Sequence, residues 1–469
     1  MQNVLDKSND VFIIGIKGAA MSNLAIIMSQ MGKKVSGCDE GDEFITDNAI
    51  KSTGITVFTG FEEKNLSPET DLVVYSAAHN GSTNPLVIAA KKRGIKAISQ
   101  AKLLGELLRL FKTSIAISGC HGKTTTTSLL SYALMKLDVS PSYMVGVPSF
   151  AGMPGGALNK KDYFVVEADE YGEDPPRDKT PKLLSLHPKY IICTNIDFDH
   201  PDVYDTIDET KRTFLQFFNN ASLFLCADDE NIRSILHKLK RDQYETFGFS
   251  PDADLHIEKA AFTQTQSRFS LVYKGKHLGQ FTISLFGEKN VSNAAGVILA
   301  LIHLGFNADK IRLAIQDFSQ VKRRFELVYK QNETYLYDDY GHHPHEIEAT
   351  IAAVRLRFPH KRLIIIFQPH TFSRTKSLLK EFAQALSQAN QSFVLPIFAS
   401  AREDSSKFSV TSQNIVNVNT KGNIECIDRS QSINRLRSLI KKGDVIFTMG
   451  AGDVYKLKDD IINLIDEIK

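Results

Sequence analysis

A glycine-containing segment between an apolar run and a helix-forming run constrains this chain more than any other feature. The run Ile115-Ala116-Ile117 predicts a buried strand, and Ser118-Gly119-Cys120-His121-Gly122-Lys123-Thr124 follows it. Glycines let backbone N–H groups turn toward phosphate oxygens, a lysine neutralises the β- and γ-phosphates of ATP, and a threonine hydroxyl can bind Mg²⁺ at a helix N-terminus. We therefore predict a cradle for ATP phosphates here. It is a shortened form, because Ile117 stands where a full phosphate-binding loop has glycine, and a chance Gly-Lys-Thr turn is the alternative.

The length of 469 residues exceeds what one hydrophobic core supports, so at about 150 residues per domain we expect roughly three domains. Lysine and arginine number 56 against 54 acidic residues, and the net charge of +2 argues against a polybasic protein that binds nucleic acid or membranes. The five cysteines are far apart and form no Cys-x-x-Cys pair, which favours a reducing cytosol. The N-terminal residues are polar, and no apolar run approaches about 18 residues. We expect a cytoplasmic protein that is neither exported nor membrane-spanning.

The first segment of the chain alternates short apolar runs with helical patterns, as βαβ units do. Val11 to Ile14 is the expected first strand, Gly15 to Met21 opens a helix, and a second strand ends at Asp39. This order is typical of a nucleotide-binding first turn, in which helix N–H groups face a diphosphate and the acid lies near a ribose. Lys17 and Ala20 occupy two of the three expected glycine positions, so a plain strand-to-helix turn is the alternative. The acid could equally be a turn or cap residue.

Two predicted strands of the middle segment end in acidic and polar residues. One, from Phe164, leads into Glu167-Ala168-Asp169-Glu170, and the other, from Tyr190, leads into Asn195-Ile196-Asp197-Phe198-Asp199-His200. The carboxyl ends of parallel strands face the ligand crevice. We therefore predict that Glu167 binds Mg²⁺ beside Thr124 and that His200 is a second metal ligand. Solvated loop acids and a hydrogen-bonded structural histidine are the alternatives.

The stretch between these two motifs, Tyr171 to Lys189, contains Asp174-Pro175-Pro176-Arg177-Asp178 and a further proline. Prolines interrupt regular structure, so we predict an inserted loop here. Loops at this position can shape substrate choice.

Two further polar patterns lie near the end of the middle segment. Asn290 and Asn293 stand one turn apart on a predicted helix after the Gly287 turn, which suits amide contacts to a base or phosphate, although helix capping explains one of them equally well. Arg323 and Arg324 follow a predicted domain junction, where a solvated charge pair is the usual interpretation.

Dense polar motifs also end the strands of the third segment. A strand-like run meets Asp338-Asp339-Tyr340-Gly341-His342-His343-Pro344, and the buried-strand pattern Leu363 to Phe367 leads into Gln368-Pro369-His370-Thr371-Phe372-Ser373-Arg374-Thr375. We predict a small doubly wound domain with these polar loops on one edge.

These motifs, in this order and over essentially the whole chain, resemble those of the Mur ligase family, the ATP-dependent amide-forming enzymes of peptidoglycan precursor synthesis. The first turn and the third-segment motifs are most similar to the branch that joins L-alanine to UDP-N-acetylmuramic acid. The resemblance implies an α/β fold of three domains. These are an N-terminal Rossmann-like UDP-sugar-binding domain at 1–110, a central P-loop ATPase-like domain at 111–321 and a C-terminal Rossmann-like amino-acid-binding domain at 322–469.

The reaction that the resemblance implies begins with attack of a carboxylate on the γ-phosphate of ATP. An amine then displaces phosphate from the acyl phosphate. The implied partners are ATP, two Mg²⁺ ions with Mn²⁺ as a substitute, UDP-N-acetylmuramic acid and L-alanine, with no nucleic acid or membrane, in a monomer or weak dimer. The implied catalytic residues are Lys123, Glu167, His200, His343, His370 and Arg374, and the implied metal ligands are Thr124, Glu167 and His200.

Binding roles follow from the same resemblance. The residues implied for ATP are Gly119, Cys120, His121, Gly122, Lys123, Thr124, Thr125, Asn290, Asn293, Arg323, Arg324 and Asp339. Those implied for the UDP-sugar are Gly15, Lys17, Gly18, Ala19, Ala20, Asp39 and Ser76, and those implied for the amino acid are Tyr340, His343, His370 and Arg374.

Departures from the family pattern keep alternatives open. Cys120 stands where the family usually has threonine, and Lys17 replaces a glycine. The length of the Tyr171 to Pro188 stretch and the residues Phe198 to Tyr204 look more like the ligase that joins the tripeptide L-Ala-γ-D-Glu-diaminopimelate to UDP-N-acetylmuramate in murein recycling. Less favoured alternatives are a P-loop NTPase switch, which would need no amine site, and a non-catalytic nucleotide-binding protein. The latter would not need to keep Lys123, Thr124, Glu167 and His200 together.

Overall fold

The structure is a computed structural model, and it describes residues 4–263, 265–319, 321–400 and 403–467. Its strands form three main sheets, in which parallel pairs predominate and helices connect successive strands. The predicted α/β class is thereby confirmed. The chain leaves the first sheet after Ser99 and enters the second at Thr113, and it leaves the second after Ile283 and enters the third at Glu326. The predicted domain boundaries themselves stay predictions.

The first sheet is parallel throughout. Its strands are β1 Asp10–Ile14, β2 Lys34–Asp39, β3 Thr56–Thr59, β4 Leu72–Tyr75 and β5 Lys96–Ser99, and its helices are α1 Val4–Lys7, α2 Ala19–Gln30, α3 Asp47–Lys51, α4 Pro85–Lys92 and α5 Gln100–Leu108. The strand order is β3-β2-β1-β4-β5. The order reverses between β1 and β4, and ligands of doubly wound sheets bind at the carboxyl ends of the strands at such a point.

The second sheet is the largest. Its strands are β6 Thr113–Ser118, β7 Ser142–Phe150, β8 Met153–Ala157, β9 Tyr163–Glu167, β12 Tyr190–Cys193, β13 Ser222–Cys226, β14 Tyr244–Gly248, β15 Leu255–Phe262, β16 Ser267–Tyr273 and β17 Lys276–Ile283, and the pair β10 Gly172–Asp174 and β11 Asp178–Pro181 stands apart from it. The helices are α6 Lys123–Lys136, α7 Ile207–Phe217, α8 Glu230–Ile235, α9 Glu288–His303 and α10 Ala308–Ile315.

The order of the second sheet, β17-β16-β15-β14-β13-β12-β6-β9-β7-β8, puts β6 beside β12 and β9. Central residues of these strands, such as Ile115, Val165 and Ile192, are fully buried. Continuous apolar runs of this kind are typical of parallel strands covered on both faces. The three motifs that follow β6, β9 and β12 consequently meet at one edge of the sheet.

The third sheet has the order β18-β19-β23-β20-β21-β22, and only its β18–β19 pair is antiparallel. Its strands are β18 Glu326–Gln331, β19 Thr334–Asp339, β20 Leu363–Phe367, β21 Gln391–Val394, β22 Ile424–Cys426 and β23 Val445–Met449. The helices are α11 Pro344–Arg357, α12 Phe372–Ser377, α13 Leu379–Leu386, α14 Ser412–Asn417, α15 Arg429–Arg437 and α16 Lys458–Glu467. Short 3₁₀ helices occur at Glu63–Asn65, Gly81–Thr83, Lys182–Ser185, Leu236–Lys238, Arg241–Gln243, Ser405–Lys407 and Val454–Leu457.

The inserted segment between the two acidic motifs is more ordered than the predicted irregular loop. It folds into the antiparallel pair β10–β11, with Gly172 opposite Pro181 and Asp174 opposite Asp178. The prediction of an irregular loop was therefore wrong for this part. The prolines lie in the turn and at the end of β11, positions where a missing N–H does not interrupt the pairing.

Helix α2 is buried around most of its circumference, from Met21 to Met28. It packs on its own sheet and also on β7 and β8 of the second sheet, which explains why its sequence is apolar on more than one face. Among the helices of the described ranges, none combines the length and apolar character needed to cross a bilayer.

Candidate active site

The segment predicted to bind ATP phosphates has the expected order of strand β6, loop and helix α6. We call the stretch Ser118 to Thr124 the phosphate loop. Gly119 has a φ of +127°, and a Cβ built there would lie 2.3 Å from Thr194 Oγ1. Gly122 has a φ of +85° and caps α6, and a Cβ there would lie 3.0 Å from the side-chain nitrogen of Asn293. Both positions therefore require glycine, for reasons of conformation and of space.

Residues after β12 hold this loop in place. The hydroxyl of Thr194 donates to the carbonyl oxygen of His121 at 2.6 Å, and the His121 N–H donates to Asn195 Oδ1 at 3.0 Å. The Cys120 thiol donates to the Asp197 carbonyl and accepts from its N–H, both at 3.2 Å. Burial raises the pKa of that thiol well above its usual range, so the cysteine side chain is a neutral anchor.

Lys123 is held beside the acidic motif of β9. Its ammonium donates to Glu170 Oε2 at 2.7 Å and to the Gly119 carbonyl oxygen at 2.6 Å. Burial opposes its charge, but the carboxylates of Glu170 and Asp169 raise the pKa of Lys123 above its ordinary value. The loop therefore carries a fixed cation.

Thr124 and Glu167 meet as predicted. The threonine hydroxyl donates to Glu167 Oε2 at 3.2 Å, and the Gly146 N–H donates to Glu167 Oε1 at 2.6 Å. Burial raises the pKa of Glu167. Thr125 is the next residue of α6 and is buried behind this pair.

His200 lies beside two acids that were not predicted as metal ligands, Glu170 and Asp199. Its Nε2 lies 3.6 Å from Glu170 Oε1 and 3.6 Å from Asp199 Oδ2. Ligand atoms of Asp169, Glu170 and His200 all lie within 4.8 Å of one another. Glu170 Oε1 is buried and accepts no hydrogen bond from the described residues. The predicted metal ligands thus divide between two neighbouring pairs. Thr124 pairs with Glu167, and His200 pairs with Glu170, which was not predicted as a ligand. Their oxygen-rich donor sets fit divalent cations such as Mg²⁺.

Sequence reasoning had placed Glu170 and Asp169 in a polar motif without a metal role. The burial of Glu170, 1% exposed, distinguishes it from a solvated loop acid. A signal was available in the sequence, since both acids follow Glu167 at the carboxyl end of a strand.

The loops of the third sheet meet this edge of the second sheet across a domain interface. Arg374 Nε donates to Asp199 Oδ1 at 2.6 Å, and both side chains are 3% exposed. A small cleft lies beside this pair, between the two domains. Its lining residues are Tyr171, His200, Pro201, Asp202, His370, Thr371, Arg374 and Glu403.

Of the other residues predicted for the amino acid, Tyr340 and His343 lie beside the cleft and do not line it. The Tyr340 ring packs against the guanidinium groups of Arg323 and Arg324, at 5.1 and 4.9 Å. Burial and the Arg374 charge lower the pKa of His342 to about 3, and burial and the His121 charge lower that of His343 to about 4. Both imidazoles are therefore neutral at pH 7.

The two neighbouring arginines diverge. Arg324 Nη2 donates to Thr124 Oγ1 at 3.5 Å, which brings it to the phosphate loop. Arg323, with a φ of +60°, donates instead to Asp338 at 3.2 Å and to the Gly450 carbonyl oxygen at 2.6 Å. The reversed backbone turns the two side chains apart, so the structure does not bring Arg323 to the predicted ATP site.

The other residues predicted for ATP also differ in what they contact. The Asn293 amide lies against the Gly122 turn, whereas the Asn290 amide donates to the Phe286 carbonyl oxygen at 2.7 Å and serves its own helix start, as the capping alternative had it. Asp339 accepts from the Gly341 N–H at 2.6 Å and from the Phe325 N–H at 2.8 Å. Burial raises the pKa of Asp339 to about 6.

The predicted UDP-sugar residues gather at the point where the first sheet reverses. Gly15 has a φ of +74°, and a Cβ there would lie 3.7 Å from Ser76 Oγ and 3.1 Å from the His79 ring. The Lys17 N–H donates to Asp39 Oδ2 at 2.7 Å, while its ammonium turns away to the carbonyl oxygens of Glu40 and Asp42. The lysine is tolerated because its side chain leaves the turn. Gly18 caps α2, and Ala19 and Ala20 open it.

Sequence reasoning missed His79, which approaches Asp39 at 3.4 Å. It also missed two residues at the start of α11. His345 faces Asp197, and Glu346 faces His121 of the phosphate loop. The only signal for Glu346 was its capping-box position three residues after His343.

Three family descriptions match successive parts of the chain. "Mur ligase family, catalytic domain" matches residues 10–112, "Mur ligase middle domain" matches residues 117–301, and "Mur ligase, glutamate ligase domain" matches residues 323–452. A curated relative, the UDP-N-acetylmuramate–L-alanine ligase of Desulforapulum autotrophicum, is 35% identical over 469 residues. It covers 98% of this chain and 99% of its own.

Solved structures share the fold over the whole length. The UDP-N-acetylmuramate-alanine ligase of Thermotoga maritima superposes with a TM-score of 0.77 at 23% identity, covering 97% of this chain and 99% of its own. A murein peptide ligase of Psychrobacter arcticus gives a TM-score of 0.73 at 22% identity, covering 98% and 99%. With three matching domains and a relative that is 35% identical along almost its full length, this chain belongs to the Mur ligase family.

Proposed function

We propose that this protein joins L-alanine to the lactyl carboxylate of UDP-N-acetylmuramic acid and cleaves ATP to ADP and phosphate in doing so. The observation that carries the proposal is the meeting of the phosphate loop and the Arg374 cleft at one domain interface. A curated relative named for this activity is 35% identical to the chain, which supports the same substrates.

The phosphate loop serves the first step, attack of the sugar carboxylate on the γ-phosphorus. Two anions must approach each other, and Lys123 offsets their repulsion with a cation already in place. Mg²⁺ held by Thr124 with Glu167, and by His200 with Glu170, would add positive charge at the transferred phosphoryl group. Arg324, next to Thr124, extends this field from the third domain.

The cleft serves the second step, attack of the amine on the acyl phosphate with loss of inorganic phosphate. Arg374 remains a cation, since Asp199 offsets its burial and raises its pKa. A guanidinium on the wall of a small cleft suits the carboxylate of an amino acid. The amine must lose a proton to attack, and we assign its acceptance to His370, because this imidazole lines the cleft whereas His342 and His343 do not.

At the first domain, Gly15, Gly18 and the opening turn of α2 would hold the diphosphate of the sugar nucleotide. Ser76 stands at the end of β4, on the opposite side of the same crevice. Asp39 lies at the end of β2, where an acid can bind a ribose hydroxyl.

The runner-up is the ligase that adds the L-Ala-γ-D-Glu-diaminopimelate tripeptide. A murein peptide ligase shares the fold, and Tyr171 of the inserted segment stands on the cleft wall. Curated relatives of 35–36% identity are named UDP-N-acetylmuramate–L-alanine ligase, which supports L-alanine.

Phosphate release by the purified protein tests the proposal. The reaction contains ATP, Mg²⁺ and UDP-N-acetylmuramic acid, and receives either L-alanine or the tripeptide. We expect release that depends on both L-alanine and the UDP-sugar. Phosphate release with the tripeptide but not with L-alanine would reassign the protein to murein recycling. If neither amine caused phosphate release although ATP still bound, the ligase proposal would be refuted.

A further inference from the structure

Four side chains of metal-ligand type meet beside the proposed catalytic machinery. They are His121 of the phosphate loop, Asp197 after β12, and His343 and His345 at the start of α11, and we call them the histidine cluster. One ligand atom from each lies within 4.8 Å of those of the other three. We propose that the histidine cluster binds a first-row transition-metal ion of the Zn²⁺ class, across the interface between the second and third domains.

One carboxylate oxygen is the centre of the histidine cluster. Asp197 Oδ2 lies 3.0 Å from His121 Nε2, 2.5 Å from His345 Nδ1 and 3.7 Å from His343 Nδ1. Ligand atoms of a tetrahedral Zn²⁺ site, at about 2.0–2.1 Å from the metal, are roughly 3.3 Å apart. The three separations bracket that value, so small side-chain adjustments would complete the site.

Outer contacts already orient three of the four ligands. His343 Nε2 lies 3.3 Å from the Phe198 carbonyl oxygen, which as acceptor fixes the proton on Nε2 and leaves the lone pair on Nδ1. His121 Nδ1 lies 3.6 Å from Glu346 Oε1, and Asp197 Oδ1 accepts the Phe198 N–H at 2.8 Å. Metal-binding histidines usually donate their second N–H to a carbonyl or carboxylate in this way.

The His343 lone pair currently accepts one weak hydrogen bond. The His345 N–H donates to Nδ1 at 3.3 Å as part of the cap of α11. Binding of a metal would replace this bond with a stronger one. Without a metal, the same four groups form a hydrogen-bonded network in which protons on His121 and His345 face Asp197. A titration with a spectroscopically visible metal ion distinguishes these two states.

The donor set selects the class of ion. Three imidazoles and one carboxylate suit Zn²⁺ and its neighbours, whereas Mg²⁺ prefers oxygen ligands. The histidine cluster therefore differs in chemistry from the acidic pairs around Glu167 and Glu170. A metal ion could enter from the side of His345, because that side chain is 60% exposed. The His343 side chain, at 3% exposed, forms the inner end of the histidine cluster.

Metal binding here would tie the phosphate loop to α11. His121 and Asp197 belong to the second domain, and His343 and His345 to the third. The ion would hold these two domains together and would occupy the imidazole of His343. We expect Zn²⁺ to slow turnover by delaying domain opening, a consequence that rests on the proposed function.

Co²⁺ is the probe for the test, because four-coordinate Co²⁺ with nitrogen ligands has strong visible absorption and six-coordinate Co²⁺ on oxygen ligands does not. The purified full-length protein is titrated with Co²⁺ in excess Mg²⁺ and without substrates. We expect one equivalent to give the four-coordinate spectrum and Zn²⁺ to displace it. His345→Ala should weaken Co²⁺ binding at least about 10-fold.

His360→Ala is the matched control, since this histidine is exposed and outside the histidine cluster, and it should leave the spectrum unchanged. Asp197→Asn provides a second variant, which should likewise weaken Co²⁺ binding. Absence of the spectrum in the unaltered protein, or the same spectrum and affinity in His345→Ala and Asp197→Asn, would overturn the proposal. The Co²⁺ titration contains no substrate, so a failure of the L-alanine assay would not affect its outcome. Likewise, a failure of the Co²⁺ titration would not affect the outcome of the L-alanine assay.

Discussion

Glu170 is shared between Lys123 and His200 at the centre of the candidate site. One carboxylate oxygen accepts from Lys123, and the other faces His200. A divalent cation bound beside His200 would compete for Glu170 and weaken its hold on the lysine ammonium. This acid therefore links the phosphate loop to the predicted metal ligand His200.

Replacement of Lys123 tests the electrostatic role of the phosphate loop. We expect Lys123→Met to lower kcat by about 10²–10³-fold, because one preorganised donor at the reacting charge contributes roughly that much. Lys136→Met, at the other end of the same helix, is the control and should keep normal activity. Steady-state phosphate release measures both. Activity within a few-fold of the unaltered protein in Lys123→Met would remove the lysine from the mechanism.

Substitutions at two glycines with positive φ distinguish the effect of steric crowding from the effect of backbone strain. Gly119→Ala adds a Cβ 2.3 Å from Thr194 Oγ1, whereas Gly152→Ala, at a φ of +77°, meets no atom within 4 Å. We expect Gly119→Ala to abolish ATP binding in calorimetry, and Gly152→Ala to bind ATP normally with a loss of stability of about 1 kcal/mol. Equal ATP affinity in both variants would show that the loop geometry is not needed.

At the scale of elements, the β10–β11 pair joins the first domain to the second. Asp174 accepts from the Ser82 N–H at 2.9 Å and from Arg177 Nη2 at 2.6 Å, and Arg177 also donates to the Asn80 carbonyl oxygen at 2.7 Å. Glu173 accepts from Ser99 Oγ at 2.8 Å. The segment therefore contacts the loop that carries Ser76 and His79, and links the cleft wall to the UDP-sugar turn.

The attachment of this pair should depend on pH. Burial raises the pKa of Asp174, but hydrogen bonds from Arg177 and Ser82 outweigh it and the pKa is lower than usual. A carboxyl group whose pKa falls on folding adds stability above its unfolded value of about 3.9, and this stability is lost as the pH falls through the folded-state pKa. We expect firm attachment at pH 5 and above, and weakening below about pH 4.

Hydrogen exchange of residues 79–84, corrected for the intrinsic rate at each pH, measures this effect. Asp174→Asn should exchange faster at pH 6 and lose the pH dependence. Asp178→Asn is the control, because its side chain accepts from the Thr180 N–H of the same β-pair. Protection that is unchanged in Asp174→Asn would contradict the proposed attachment.

Elements that end in polar motifs were predictable, because parallel strands align their carboxyl ends and place successive motifs at one edge. The clustering of Lys123, Glu167 and His200 follows from that rule alone. The β10–β11 pair could not be predicted from this rule, because its acids find partners such as Ser82, 92 residues away in the sequence. The divergence of Arg323 and Arg324 depends on one left-handed backbone angle, which no local pattern specifies.

For the molecule as a whole, the interface between the second and third domains completes the candidate site. Arg374 and Asp199, 175 residues apart, are paired there and almost fully buried. Arg324 and His343 also contact the second domain. The structure therefore describes a closed arrangement, in which neither domain alone forms the cleft.

Removal of the Asp199 charge should disfavour this closed arrangement. Asp199→Asn leaves the buried Arg374 cation without its carboxylate, which costs roughly 3–5 kcal/mol in comparable buried pairs. We expect a larger radius of gyration by small-angle X-ray scattering with ATP analogue and UDP-sugar present, and a raised KM for L-alanine. Asp205→Asn, an exposed acid nearby, is the control. Unchanged scattering and KM in Asp199→Asn would show that this pair does not govern closure.

Asn23 of α2 has a consequence for how the molecule moves. Its amide donates to the carbonyl oxygens of Val145 and Val147, at 2.6 and 2.9 Å, where the pairing of β7 with β8 is irregular. Together with the β10–β11 contacts, it attaches the first domain to the second at two separate places. We therefore expect these two domains to move as one body and the third domain to move relative to them. We expect ATP and the sugar nucleotide to bind to a surface that exists beforehand, and L-alanine to bind last, once its cleft has been assembled.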